Sequence, residues 1–130
     1  MLLDSNIIIY LSQPEYLSLR AYFADKEIHT SAVCKIETLG FDKLTPIKKK
    51  YLEEFFELVN CIAITDEIVD GAIELRQIHD LSLGDSIIAA TALNSRLDLA
   101  TRNIGDFKRI KGLKLVDPFS KISHGQSLSI

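Results

Sequence analysis

Asp4, Glu37, Asp85 and Asp106 lie in four well-separated segments, and each segment can deliver its acid to the same edge of a fold. Carboxylates bunched in this way repel one another, by roughly 1 kcal/mol per pair at 4 Å in water and several-fold more at a protein surface. A fold tolerates the repulsion when a cation neutralises it, and an all-oxygen donor set suits Mg²⁺ or Mn²⁺. A cation held at such an edge polarises a phosphodiester and generates hydroxide from water, which is the chemistry of metal nucleases. Taken singly, three of the acids have plainer uses. Asp4 or Ser5 can cap a first helix, Asp85 after Gly84 makes a good helix start, and Asp106 in "NIGDF" can cap a short final helix. Glu37 is different, because it falls mid-helix among Val33, Ile36 and Leu39 and has no end to cap, its plainer reading being an exposed surface residue.

The elements that must position these acids follow from the apolar pattern. Five short runs read as strands: Met1–Leu3, Glu27–Thr30, Cys61–Ile64, Leu97–Ala100 and Lys114–Val116. Helical patterns separate them. One spans Ile7–Tyr10 and stops before Pro14; another covers Glu15–Ala24. Ser31 is placed to cap a helix to about Phe41, Thr45 followed by Pro46 opens one to about Leu58, and Thr65 caps one carrying Ile68, Ala72 and Leu75. "GDSIIAATAL" starts a helix apolar on most sides, so it should be buried, and "GDFKRI" is a last short one. Strands alternating with helices predict a single α/β domain with a mainly parallel sheet covered on both faces. Ligands of such sheets bind beyond the carboxyl ends of the strands. Asp4 ends the first strand, Glu37 lies in the helix after the second, Asp85 opens the helix leading down to the fourth, and Asp106 follows the fourth. All four are predicted at that carboxyl edge. The stretch "LDLATRNIGDF" then reads as a strand running into a polar turn, either ordinary turn chemistry or one wall of a site.

Composition narrows the function. The 130 residues are 47% hydrophobic and 25% charged, the balance of one soluble domain. No apolar run approaches a membrane span, and "MLLDSN" lacks a signal-peptide pattern, so a cytoplasmic location without membrane contact is expected. Cys34 and Cys61 are too few for a disulfide framework and are expected as small buried apolar residues. His29, His79 and His124 have no metal-ligand spacing. A net charge of −3 argues against general adhesion to nucleic acid, leaving any such contact to a bridging cation or to local groups. Those groups are Lys48–Lys50 and the set Arg102, Lys108, Arg109, Lys111 and Lys114, which otherwise serve as a solvated helix face and solubilising charge. The stretch "SKISHGQSLSI", residues 120–130, has no period and is expected to be a mobile tail after a domain spanning 1–119.

In this order and spacing the residues resemble the PIN-domain family, in particular VapC-type toxins of bacterial toxin–antitoxin pairs. The resemblance runs from about Leu2 to Pro118. "LLDSNIII" is similar to the family's opening strand, "SAVCKIETLG" to its Ser…Glu…Gly segment, "LSLGDSIIAATAL" to its most recognisable stretch and "LATRNIGDFKRIKGLKLVDP" to its closing motif. The departures are Ser5, where Thr is also common, and the polar extension past Pro118. The resemblance implies a sheet ordered 3-2-1-4-5 and Mg²⁺- or Mn²⁺-dependent cleavage of RNA. It assigns Asp4, Glu37, Asp85 and Asp106 as metal-holding catalytic acids. Ser5, Asn6, Thr101 and Asn103 would orient carboxylates or water, with Thr101 and Asn103 equally readable as turn formers. Arg102, Lys108 and Arg109 are weaker candidates for substrate contact. Water attack in line would leave 5′-phosphate and 3′-hydroxyl ends. A cognate antitoxin and a homodimer formed through the early helices are also implied.

Three other readings compete. A phosphate-accepting receiver domain would use Asp66 and Thr101, but it wants paired acids near Asp4 and a Lys before the final Pro, where this chain has Ser5 and Asp117. It also leaves Glu37 and Asp85 unused. A dehalogenase-type phosphatase needs a second Asp two residues after Asp4, where Asn6 stands. A catalytically silent PIN scaffold that only binds protein or RNA stays open, although the presence of all four acids speaks against it.

Overall fold

The computed structural model describes residues 1–122. Five strands form one parallel sheet in the order β3-β2-β1-β4-β5, with β1 (Leu2–Leu3) at its centre. The others are β2 (His29–Ser31), β3 (Asn60–Ile62), β4 (Leu99–Ala100) and β5 (Leu115–Val116). The expected single α/β domain and strand order are therefore the observed ones. The strands are shorter than the apolar runs predict because the sheet is only two or three rungs deep. Leu2 and Leu3 pair with Leu99 and Ala100, and all four are fully buried. A parallel strand covered on both faces has no polar position to spare, which is why these runs are continuous rather than alternating.

Seven helices connect the strands. α1 (Ser5–Leu11) and α2 (Leu17–Phe23) link β1 to β2; α3 (Ala32–Leu39) and α4 (Pro46–Leu58) link β2 to β3. α5 (Asp66–Ile78) packs along α6 (Leu83–Ser95) before β4, and α7 (Ile104–Phe107) precedes β5. The predicted caps form: Ser31 accepts from the Val33 amide, Thr45 from Lys48 and Thr65 from Ile68. As its composition requires, α6 is buried on several sides, through Ile88, Ala89, Ala90, Thr91 and Ala92. Among the described residues no helix is long and apolar enough to cross a membrane.

One expectation needs correction. Cys34 is buried, but Cys61 is exposed, because β3 is an edge strand that no further strand flanks among the described residues. Ser120 closes a 3-10 turn, Pro118–Ser120, with its Oγ donating to the Asp117 carbonyl at 2.7 Å. Of the expected tail, residues 123–130 lie outside the described residues.

The end of α6 carries the one non-glycine residue with positive φ among those described, Arg96 at 56°. The Leu97 amide donates to the Ala92 carbonyl at 3.0 Å and the Arg96 amide to Leu93 at 3.3 Å, the two bonds of a Schellman ending. Glycine is the residue that reaches this backbone region without steric cost, whereas an L side chain pays about 1 kcal/mol. Arg96→Gly should therefore raise the melting temperature by a few degrees, measured by circular dichroism, with no change in any activity.

A candidate metal-nuclease site at the carboxyl edge

The site is built where the sheet order reverses. From the carboxyl end of β1 the chain turns towards β2, and from that of β4 it turns towards β5, leaving a crevice between the two strands. Asp4 and Thr101 are the residues that follow the last paired rung, Leu3 with Ala100. Their backbones remain in register: the Asp4 amide donates to Ala100 and the Thr101 amide to Val116, both at 2.9 Å. The side chains consequently meet, and Thr101 Oγ1 donates to Asp4 Oδ2 at 2.7 Å. Sheet register, rather than loop conformation, sets this contact.

The other acids arrive on helices. Ser5 is the first residue of α1, and its Oγ donates to Glu37 Oε1 on α3 at 2.7 Å. Asp85 lies in the first turn of α6, whose cap is Ser82: the Asp85 amide donates to Ser82 Oγ at 3.1 Å. Asp106 lies within α7 and accepts from Asn103 Nδ2 at 2.7 Å, while the Asn103 amide donates to Thr101 Oγ1 at 2.9 Å. The capping alternatives are met only in part: Asp4 occupies the N-cap position of α1 without a side-chain cap bond, Asp85 lies in the first turn of α6 behind the cap Ser82, and Asp106 lies in the first turn of α7 behind Asn103.

The acids act on one another electrostatically. Asp4 is only 4% exposed. Burial pushes its carboxyl above the usual range, the Thr101 hydroxyl and the Ser5 amide pull it back, and the Glu37 charge raises it further. Asp85 is also raised, first by burial and then by Asp4, with Asp106 and Glu37 adding to the effect and Ser82 opposing it. Asp85 thus senses all three other acids. Behind them, burial pushes the Cys34 thiol up to about 12, so it remains protonated, with its Sγ 3.7 Å from the Leu3 carbonyl.

Whether these residues suit a divalent cation can be judged from the donors and the space. Among the described residues no group of three His, Cys, Asp or Glu side chains is arranged as a ready cage for a metal ion. Mg²⁺ does not require one, since it keeps several waters and binds through one or two carboxylates with substrate phosphate completing its shell. Space is reserved beside Glu37: a Cβ on Gly84 would come within 2.5 Å of Glu37 Oε2. Any side chain here would push that carboxylate aside, so the glycine at the start of α6 lets Glu37 keep this position beside it. The all-carboxylate donor set is the kind a hard cation takes.

Ser5, Thr101 and Asn103 each hydrogen-bond an acid, whereas Asn6 is exposed and makes no side-chain hydrogen bond among the described residues. Lys108 and Arg109 are exposed and form no salt bridge there, and Arg102 turns towards Phe119 rather than the acids. Ser82 and Gly84 are absent from the sequence-based assignment. Ser82 was legible, because Ser three residues before an acid is the spacing of a capping box. Gly84 was not, since its role depends on where α3 packs.

Comparison with known proteins agrees with this architecture. The family model described as PIN domain matches residues 1–113. A toxin–antitoxin complex from Klebsiella pneumoniae contains a chain 31% identical, with a TM-score of 0.74, covering 90% of this chain and 96% of that one. The DNA-bound VapBC of Salmonella typhimurium is 18% identical with a TM-score of 0.80, covering 90% and 96%. VapBC-1 from nontypeable Haemophilus influenzae is 24% identical with a TM-score of 0.74, covering 91% and 97%. No curated protein matches by sequence. The sheet order, the helices that fill it and the match over residues 1–113 lead to one assignment: the chain belongs to the PIN-domain family.

Proposed function

We propose that this protein is a divalent-metal-dependent endoribonuclease and acts as the toxin of a toxin–antitoxin pair. The observation that carries the reading is a set of contacts that ties acids from separate segments together: Thr101 holds Asp4, Ser5 at the start of α1 holds Glu37, Asn103 holds Asp106, and Gly84, next to Asp85 in the chain, lies against the Glu37 carboxylate. Asp4, Glu37, Asp85 and Asp106 would hold Mg²⁺ or Mn²⁺. When bound, the ion supplies Lewis acidity towards a phosphate oxygen and a water of lowered pKa. The chain's own contribution is orientation. Thr101 fixes the rotamer of Asp4, Ser5 that of Glu37 and Asn103 that of Asp106, so the carboxylates do not need to be ordered when RNA arrives. The expected products carry 5′-phosphate and 3′-hydroxyl ends. A toxic ribonuclease must be masked in its own cell, and the resemblance to a chain of a toxin–antitoxin complex supports a small antitoxin as partner. A homodimer and a cytoplasmic location complete the proposal.

Asp4→Asn and Asp85→Asn should each lower the rate of RNA cleavage at least a hundredfold in Mg²⁺ or Mn²⁺ while circular dichroism shows the fold intact. Induced alone, the wild-type chain should arrest growth and both variants should be harmless. Cleavage by either purified variant at the wild-type rate, or cleavage that persists in EDTA, contradicts the assignment.

Stability offers a test independent of catalysis. Because the folded protein raises the Asp85 pKa, the folded state holds that proton more tightly than the unfolded chain does. This favourable contribution is complete below the ordinary carboxylate pKa, about 4, and is lost as pH rises through the raised value. In EDTA, the melting-temperature advantage of Asp85→Asn over wild type should therefore grow from acid pH towards neutrality. Glu37→Gln keeps an acceptor for Ser5 and removes only charge. It should melt a few degrees higher than wild type in EDTA and gain less from millimolar Mn²⁺, since binding to the folded state stabilises by mass action. A Glu37→Gln variant that melts lower in EDTA, with an unchanged response to Mn²⁺, would make Glu37 an ordinary structural residue.

A further inference from the structure

Arg102 is bracketed in the chain by two residues bound to site acids: Thr101 holds Asp4 and Asn103 holds Asp106. An exposed guanidinium in that position would ordinarily fold onto the nearest carboxylates. It does not. Its Cζ lies 4.0 Å from the centroid of the Phe119 ring and 5.8 Å from that of Tyr10. Those rings belong to a braced set: Tyr10, Tyr16 and Phe119 pack edge-to-face in all three pairings, with centroids 5.0, 5.0 and 5.9 Å apart. Tyr10 lies one turn after Asn6 on α1, and Phe119 lies in the 3-10 turn that follows β5. Among the described residues Arg102 has no salt bridge and no side-chain hydrogen bond, so its N–H donors are uncommitted while one face is occupied.

This arrangement resolves a conflict of charge. The chain carries a net charge of −3, and its acids repel the phosphates that flank a scissile bond. A cation close to the acids helps an RNA strand only if it stays off them, because a guanidinium paired with the carboxylates would neutralise them and be lost to the substrate. Stacking on aromatic faces holds the guanidinium by cation–π attraction and leaves its edge free for a forked contact with phosphate.

We infer that the Tyr10–Tyr16–Phe119 shelf holds Arg102 clear of the acids to grip a phosphate of single-stranded RNA beside the cleaved bond. Arg102 is then a substrate-binding residue and Phe119 a positioning residue acting through it. The inference rests on the ribonuclease reading above and adds to it a function for the segment after Pro118.

The test uses the full chain, a fluorescently labelled single-stranded RNA that it cleaves, and Mn²⁺, with anisotropy as a readout of binding alongside cleavage kinetics. Arg102→Ala should raise KM roughly tenfold, as loss of one charge-assisted contact does, with kcat changed less than twofold. One fewer phosphate contact should also reduce the slope of log affinity against log salt by about 0.7. Phe119→Leu should raise KM in the wild-type background, have no effect on KM in the Arg102→Ala background, and be rescued by Phe119→Trp. Equal KM and salt slope in wild type and Arg102→Ala, with wild type cleaving RNA normally, overturns this inference and leaves the ribonuclease reading intact. An effect of Phe119→Leu that persists without Arg102 also overturns it, by making the shelf purely structural. A wild-type chain that neither binds nor cleaves RNA overturns both.

Discussion

The site depends on like charges held together against their repulsion. Asp85 carries the cost most openly, since burial and three neighbouring carboxylates all work against its ionisation. Isolated acids at a surface would move apart. Here they cannot, because each backbone is fixed by an element whose own stability lies elsewhere. Asp4 is tied to the central rung of the sheet, Glu37 to a helix capped by Ser31, and Asp85 to a helix buried on most sides and capped by Ser82. The hydrophobic core, centred on Leu2, Leu3, Leu99 and Ala100, stabilises the scaffold on which this local strain is maintained.

Neutral donors make the crowding tolerable without abolishing it. Thr101, Ser5 and Asn103 each give one hydrogen bond to one acid, and none brings a positive charge. A lysine or arginine in any of these places would satisfy the carboxylates completely and remove the affinity for a cation proposed for them. Hydroxyls and amides orient an acid while leaving its charge unneutralised, the balance that a metal-binding site requires. Keeping Arg102 on Phe119 follows the same logic from the other side, since this cation, between Thr101 and Asn103 in the chain, is stacked on an aromatic ring.

How much of this was legible in the sequence depends on the range of the interaction involved. Ser31, Thr45 with Pro46, and Thr65 announce their helices because capping is settled within three or four residues. The alternation of short apolar runs with these helices was enough to read a parallel α/β sheet, and from it the carboxyl edge at which the acids stand. Their order and spacing also matched a known family. Local signals misled where the outcome depends on neighbours distant in sequence. Cys61 looks like its buried counterpart Cys34, yet its strand lies at the sheet edge. Gly84 looks like a helix opener, whereas its missing side chain makes room for Glu37 on a different helix. Phe119 sits at the border of a stretch without pattern and is ordered by two tyrosines more than a hundred residues away in the chain.

The central claim is that these four acids form one cation site. Titrating Mn²⁺ into the RNA-free protein and counting free ion by electron paramagnetic resonance measures that directly, with no dependence on substrate or partner. The account predicts saturable binding by the wild-type chain that is lost or strongly weakened in both Asp4→Asn and Asp85→Asn. Wild-type protein that takes up no Mn²⁺, or variants that bind it as tightly as wild type, would contradict it.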